Sequence, residues 1–159
     1  MTIAVVTIDH AATLPLRRSV LRDGDPGAIV AWDEDTLPGV VHLGISLDGE
    51  IVGTSTWIPR PLPDDLLDHE RDASGGNAGG VWQLRGMATA NGQRGRGLGG
   101  ILVEAGCQRC AGGGGRLVWA RARDAALAFY VDHAFEVVGD GFVDATTGLP
   151  HHVVRRAVT

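Results

Sequence analysis

Gln93-Arg94-Gly95-Arg96-Gly97-Leu98-Gly99-Gly100 decides how this chain is read, because an apolar, strand-like run over residues 81–90 leads into it and an amphipathic helical pattern leaves it. A strand, a glycine-rich turn and a helix in that order make a cradle for an anion. Glycine lets the backbone come close to a bound anion and adopts φ/ψ values closed to other residues. The helix that starts there aims unpaired N–H groups and the positive end of its dipole at the ligand. Arg94 and Arg96 add fork-shaped donors that match phosphate oxygens. The stretch is therefore expected to hold a pyrophosphate-bearing ligand.

Two kinds of loop fit these residues. Gly95, Gly97 and Gly100 satisfy G-x-G-x-x-G, the dinucleotide fingerprint, whereas Arg94-x-x-Gly97-x-Gly99 satisfies the R/Q-x-x-G-x-G/A signature of acyl-coenzyme A binding. A Rossmann domain usually opens on its glycine loop and needs further βα units, with an acidic residue about 20 positions on. Here half the chain precedes the loop, and the next strand candidate, residues 116–120, runs into Arg121 and Arg123. Dinucleotide binding is thus the second reading. A nucleoside-triphosphate P-loop is excluded, since the chain has no lysine at all.

At 159 residues the chain is long enough for one domain, 1–159, with an ordinary core. Its net charge of −5 leaves no general basic field for nucleic acid. No apolar run approaches the ~20 residues of a membrane span, and residues 1–9 read as a strand without the basic start of a signal peptide. A cytoplasmic location is expected, with no nucleic-acid or membrane partner; a homodimer is left open. Cys107 and Cys110 sit near the end of the helix that follows the loop, not at a helix start, and no second ligand pair accompanies them. They are read as inert thiols, with Cys107 packed inward, and no metal site is expected.

Residues 2–8 read as a strand and 11–21 as a helix whose firm start lies at Pro15. Residues 22–27 form a turn-rich break. Asp48-Gly49, between two β-branched runs at 40–47 and 50–58, predicts an antiparallel hairpin. Residues 59–80 carry three prolines and a patch of acids and read as a long loop outside the core, either a lid or a disordered segment. Leu98, Ile101, Leu102 and Ala105 are the expected buried stripe of the next helix, which the run 111–115 ends. Residues 116–120 predict a short buried strand, 124–133 a helix, and 135–138 and 151–158 the last strands.

With these blocks in place the chain resembles the GNAT superfamily of N-acetyltransferases, from about residue 40 to the C-terminus. Leu84-Arg85-Gly86-Met87-Ala88-Thr89 leading into Gln93–Gly99 resembles the family's central strand and pyrophosphate loop. Ala126-Leu127-Ala128-Phe129-Tyr130 followed by Ala134-Phe135 resembles its A-x-x-F-Y…G-F segment, and Gly148-Leu149-Pro150-His151 is similar to the G-I-P-H ending of one small subgroup. The resemblance implies an α/β fold of the acyl-CoA N-acyltransferase type: a mixed, mostly antiparallel sheet splayed at its central strands and flanked by helices. Three departures stand out. Ala134 replaces a usual Gly, Arg123 replaces an Asn that contacts the cofactor in many members, and Gln83, Leu84 and Arg85 leave the central strand without the glutamate that often acts as base.

The implied reaction is direct attack of a neutral amine, from a small-molecule or peptide acceptor, on the thioester of acetyl-CoA. In that scheme the backbone of Met87, Ala88 and Thr89 binds the pantetheine and polarises the carbonyl. Arg94, Gly95, Arg96, Gly97, Leu98, Gly99 and Gly100 hold the pyrophosphate, and Tyr130 serves the departing thiolate. The base is open among His151, His42, Glu70, Asp68 and a water chain. His151 could instead shape the acceptor pocket. Trp32 and Trp57 are either walls of that pocket or core residues, and Arg17, Arg18 and Arg22 either touch the acceptor or form a solvated face. The acidic residues Asp64, Asp65, Asp68 and Glu70 hint at a cationic amine. The competing reading is a coenzyme-binding module without turnover.

Overall fold

The computed structural model describes residues 1–68, 79–93 and 95–158. Seven strands run in the order β1-β2-β3-β4-β5-β7-β6. They are β1 (Ile3–Ile8), β2 (Val41–Leu47), β3 (Glu50–Pro59), β4 (Val81–Thr89), β5 (Leu117–Arg123), β6 (Glu136–Val143) and β7 (Pro150–Ala157), flanked by α1 (His10–Leu16), α2 (Leu98–Gly112) and α3 (Leu127–Asp132). The sheet is mixed and mostly antiparallel, as the sequence predicts. The chain divides into two compact units, one of Met1–Ile58 and Leu84–Gly106, the other of Pro59–Gln83 and Cys107–Thr159.

In the first unit β1, β2 and β3 form an antiparallel meander. Asp48 and Gly49 both take positive φ (52° and 87°), the geometry of a tight hairpin turn. Helix α1 starts at His10, five residues before the expected point, because Asp9 caps it: its carboxylate accepts from the Ala12 N–H at 3.0 Å. Pro15 therefore lies inside the helix, where its missing N–H breaks the i→i−4 ladder. The ladder re-forms as a wider π turn over Arg17–Leu21. That turn carries Arg17 inward to 0 % exposure, so Arg17 is no part of a solvated face.

The buried face of α2 is also rotated from the expected one. Leu98, Leu102, Val103, Cys107 and Cys110 are buried, whereas Ile101 is 42 % exposed and Ala105 only half-buried. Trp57 sets this face: a Cβ on Gly106 would lie 1.8 Å from its ring, so only glycine lets the indole reach the helix. Trp57 is a core residue and donates from Nε1 to the Ser55 hydroxyl at 2.8 Å.

In the second unit β5 pairs antiparallel with β7, and β7 with β6. β4 joins β5 in parallel from Val81↔Leu117 to Gln83↔Trp119, and among the described residues that register ends there, well before Met87. β5 and β6 extend beyond their predicted ends. The core is Leu62, Val81, Leu117, Trp119, Val138 and Val153, with Leu66 packed against it. Leu62 and Leu66 belong to the segment expected to stay outside the core, so that segment is anchored. Proline in the chain does not stop a leucine between prolines from being buried. Residues 69–78 of the segment, with Glu70, lie outside the described residues.

Ala134 closes α3 with φ of 66°, and the Phe135 N–H reaches back to the Tyr130 carbonyl at 3.0 Å. This is the left-handed helix stop that glycine fills most readily. A β-carbon costs about 1–2 kcal/mol there, and glycine gives back part of that through its freer unfolded chain. Ala134→Gly is therefore expected to raise stability by roughly 0.5–1 kcal/mol in urea unfolding, and a loss of stability would contradict the assignment.

Candidate active site

The first unit carries the glycine loop. β4 ends at Thr89, and the Ala90 N–H donates to the Val52 carbonyl at 2.8 Å, tying the strand's end to β3. A 3-10 turn, Asn91–Gln93, follows, and then the loop enters α2 at Leu98. Gly95 and Gly97 hold φ of 83° and 73°. Among the described residues no heavy atom lies within 4 Å of a Cβ built on either. Both are exposed, as is Arg96, whose guanidinium donates to the Met1 thioether at 3.6 Å. Leu98 is buried and pins the helix start. Among the described residues the first α2 N–H with an acceptor in the preceding turn is that of Ile101, bonded to the Gly97 carbonyl at 3.2 Å, and a helix start leaves its first N–H groups pointing outward along the axis. Open space over two left-handed glycines at the start of a 15-residue helix fits a phosphate group. Arg94 lies outside the described residues. Beside the loop, the Gln93 side-chain oxygen is buried without a partner among the described residues.

β4 itself is broken at Gly86, whose φ is 64°. A Cβ there would sit 2.8 Å from the Trp32 ring, so the strand bends to take the indole. Met87, Ala88 and Thr89 follow directly, with Ala88 buried and its neighbours half-buried.

Trp32 belongs to a cluster that sequence reading did not assemble. The Arg17 and Arg85 guanidinium carbons lie 3.8 and 3.9 Å from its ring centroid. Two such groups this close can only stand on opposite faces, so the indole is sandwiched. Arg17 donates from Nη1 to the Val30 carbonyl and Asp35, and from Nη2 to Asp35 and Thr56, all within 2.7–2.8 Å. Its Nε has no acceptor among the described residues. Burial alone would push the Asp35 carboxyl up, but the bonds from Arg17 and the Trp32 N–H outweigh it and hold the group below the usual carboxylate range. His42 is buried between the Thr56 hydroxyl (Nδ1, 2.8 Å) and the Asp35 carbonyl (Nε2, 2.9 Å). The carbonyl can only accept, so Nε2 donates to it, and the Thr56 hydroxyl that meets Nδ1 also accepts from Arg17. Both ring nitrogens of His42 are thus occupied by hydrogen bonds within the cluster. On the outer face of Trp32, Arg85 is paired with Glu34. No local pattern announces this cluster; its one sequence signal is an arginine after a mid-helix proline.

The second unit carries Tyr130 and His151. Tyr130 is buried on α3 with its ring edge-on to Phe129 and Phe135, 5.3 and 5.2 Å between centroids. Burial, with a smaller contribution from Cys107, pushes its phenol up to about 12. Tyr130 therefore stays a neutral donor across the whole physiological range. His151 is buried against Phe142 and its Nδ1 lies 2.9 Å from the Leu149 carbonyl. The carbonyl can only accept, so Nδ1 donates to it. Asp68 is exposed.

Cys107 and Cys110 are both buried free thiols. Burial, with Cys107 adding to it, pushes Cys110 up to about 12. The sign follows: the folded value lies above the unfolded one, so the stabilisation is complete below about pH 8.5 and fades as pH rises toward 12. Alkylation of Cys110 at pH 8 is expected to run about 10³-fold slower in native than in unfolded protein; equal rates would refute an inert thiol. Among the described residues no group of three His, Cys, Asp or Glu side chains could hold a metal ion. No helix among them is long and apolar enough to cross a membrane.

Comparison with known proteins bears on this arrangement. The sequence profile of the acetyltransferase (GNAT) family matches residues 9–135. An uncharacterized N-acetyltransferase of Bacillus subtilis, YitI, is 29 % identical over 150 residues, which cover 94 % of this chain and 92 % of that protein. An acyl-CoA N-acyltransferase from Pseudomonas aeruginosa superposes with a TM-score of 0.72 at 21 % identity, covering 98 % of this chain and all of that one. Escherichia coli ElaA superposes with a TM-score of 0.71 at 17 % identity, covering 98 % and 99 % of the two chains. At these identities the two structures speak for the fold alone.

Proposed function

Because the chain belongs to the acetyltransferase (GNAT) family, we propose that it transfers the acetyl group of acetyl-CoA to the primary amine of a small molecule or peptide by direct attack. The observation that carries this reading is the loop at Gly95 and Gly97: left-handed backbone, space open among the described residues, and the start of a 15-residue helix. The first N–H groups of that helix, with Arg94 and Arg96, hold the pyrophosphate. The backbone of Met87, Ala88 and Thr89, just past the bend at Gly86, takes the pantetheine and the thioester carbonyl. Tyr130 hydrogen-bonds the departing thiolate. With a phenol raised to about 12 and a thiolate near ~8.5, it stabilises that charge without surrendering its proton fully. The residue that receives the amine proton is not assigned in this reading; His151, His42, Glu70, Asp68 and a water chain remain the candidates. In this reading the whole chain works as one acetyltransferase domain in the cytoplasm, where acyl-CoA is made and used.

A second reading, a module that binds acetyl-CoA without turnover, gains from the β4 residues Gln83, Leu84 and Arg85 standing where relatives carry a glutamate. Thiol release from acetyl-CoA, followed across a broad amine panel, separates the two. Turnover with at least one amine supports the transferase. Tight acetyl-CoA binding with no release above the hydrolysis background would replace it by the binding module.

A further inference from the structure

We propose that Arg121 is the anion-recognition residue of the acceptor site, and that the amine it selects carries its own carboxylate beside an apolar body. The inference rests on the transferase reading for its place in the reaction, and on the second unit for its chemistry.

Arg121 stands on β5 with its guanidinium carbon 5.2 Å from the ring centroid of Trp119, two residues back on the same face. Trp119 is 1 % exposed and fixed in place, since its Nε1 donates to the Arg60 carbonyl at 3.0 Å. The indole is thus a rigid platform under a cation. Arg121 is exposed, and among the described residues nothing accepts a hydrogen bond from it. Asp144 and Asp65 act on it only through space. Asp144 commits its Oδ1 to the N–H groups of Thr146 and Thr147, both at 2.9 Å, and to the Thr147 hydroxyl. Burial, followed by the Arg60 guanidinium, presses Arg121 below the usual guanidinium value. Its charge therefore sits where water is partly withdrawn, and an anion brought there is held more strongly than in open solvent.

Strand pairing decides what lies beside this cation. Arg121↔Val153, Arg123↔His151 and Phe142↔His151 are register partners, so Arg121, His151 and Phe142 share one face of the sheet. Arg121 and His151 are diagonal neighbours, about 7–8 Å apart on adjacent strands. The Phe142 ring stacks on His151 at 5.8 Å between centroids, and Leu149, whose carbonyl accepts from His151 Nδ1, is 42 % exposed. A planar cation next to a stacked ring pair and an exposed leucine suits an organic carboxylate. The forked N–H edge meets two oxygens, and the apolar side chains meet the rest of the molecule.

Position supports the same assignment. The parallel register of β4 with β5 ends, among the described residues, at Gln83↔Trp119, so Arg121 lies two residues beyond it toward the carboxyl end of β5. Sheets with parallel strands bind ligands outside the carboxyl ends of those strands, where neighbours part. Tyr130 follows from the same strand end, through the turn Asp124–Ala126 and α3. The residue assigned to the thiolate and the residue assigned to the acceptor thus issue from one end of one strand.

The test measures binding independently of turnover. L-Leucine, L-methionine, L-phenylalanine and β-alanine, each with its carboxamide, are titrated by ligand-observed NMR onto wild type, Arg121→Gln, Arg121→Lys and Arg109→Gln. Arg109→Gln removes an exposed charge from α2 and serves as the control. At least one acid is expected to bind wild type and the control about 10-fold or more tighter than its amide. Arg121→Gln should bring that ratio near one, and Arg121→Lys should restore part of it. Acetyl-CoA affinity, by calorimetry, should stay within about 2-fold in Arg121→Gln. A fall of about 10-fold or more there would move Arg121 to a phosphate of the coenzyme and overturn the acceptor assignment. A merely structural role would lower the melting temperature or weaken acid and amide equally, with the ratio unmoved, and would overturn it as well. So would a wild type that prefers no acid to its amide or binds no member of the panel. Thiol release on the same ligands reports on the transferase separately. Release with acids and amides alike upholds the transferase and sinks the recognition site, whereas selective acid binding without release does the reverse.

Discussion

Replacing Tyr130 by phenylalanine is expected to leave acetyl-CoA affinity unchanged and to lower kcat by about 10²-fold, the modest end for a group that assists proton or charge transfer. The ring keeps its edge-on contacts with Phe129 and Phe135, so packing and donor binding survive. In the proposed role what is lost is one hydroxyl whose partner would be a thiolate charged only in the transition state, and such a loss falls on kcat and not on KM. The pH profile gives a second check. Because burial raises the phenol to about 12, activity should show no decline attributable to Tyr130 ionisation below about pH 11. A variant with wild-type kcat would remove Tyr130 from the chemistry.

Arg17→Ala is expected to be the most destabilising change, by about 3–5 kcal/mol in urea unfolding. The loss exceeds that of a surface ion pair because Arg17 and Asp35 are both buried. Truncation strands the Asp35 carboxylate, the Val30 carbonyl and the Thr56 hydroxyl, and it removes the support under Trp32. The pH dependence separates this cause from simple cavity formation. In the wild type Arg17 and the Trp32 N–H overcome burial and depress the Asp35 carboxyl, so its contribution is present above the usual carboxylate value and lost as pH falls. In the variant the lowering by Arg17 is gone, so the carboxyl lies higher than in the wild type and its protonation offsets part of the loss as pH falls. The gap between the two proteins should therefore be widest at neutral pH and narrow toward pH 4. A loss below about 1 kcal/mol, or one independent of pH, would contradict the role given to the pair.

What sequence reading recovers and what it misses divide along a physical line. The hairpin at Asp48-Gly49 and the glycine loop are legible because a few adjacent residues determine the backbone there. The position of α1 is not, because a capping aspartate outweighs the rule against proline inside a helix. Ile101 is misplaced and Val103 missed because the face of α2 is set by Trp57 seated on Gly106, a contact between segments far apart in the chain. Leu62 is misjudged because a proline-rich surround says nothing about one side chain's burial. The cluster around Trp32 draws Arg17, Asp35, Thr56 and Arg85 from four separate elements. No spacing rule joins residues 18 or 39 apart, and only the π turn after Pro15 makes Arg17 face inward.

Calorimetric titration of acetyl-CoA tests the central claim most directly, on wild type, Gly97→Val and Gly24→Val. Gly24 has φ of 76° and, like Gly97, open space at its Cβ, but it lies in the turn after the first helix. Gly24→Val therefore carries the same backbone strain without entering the phosphate cradle. Tight binding to wild type and to Gly24→Val, with at least a 100-fold loss in Gly97→Val, is the predicted result. Absent binding to the wild type, or equal affinity in Gly97→Val, would contradict the site and the donor assigned to it.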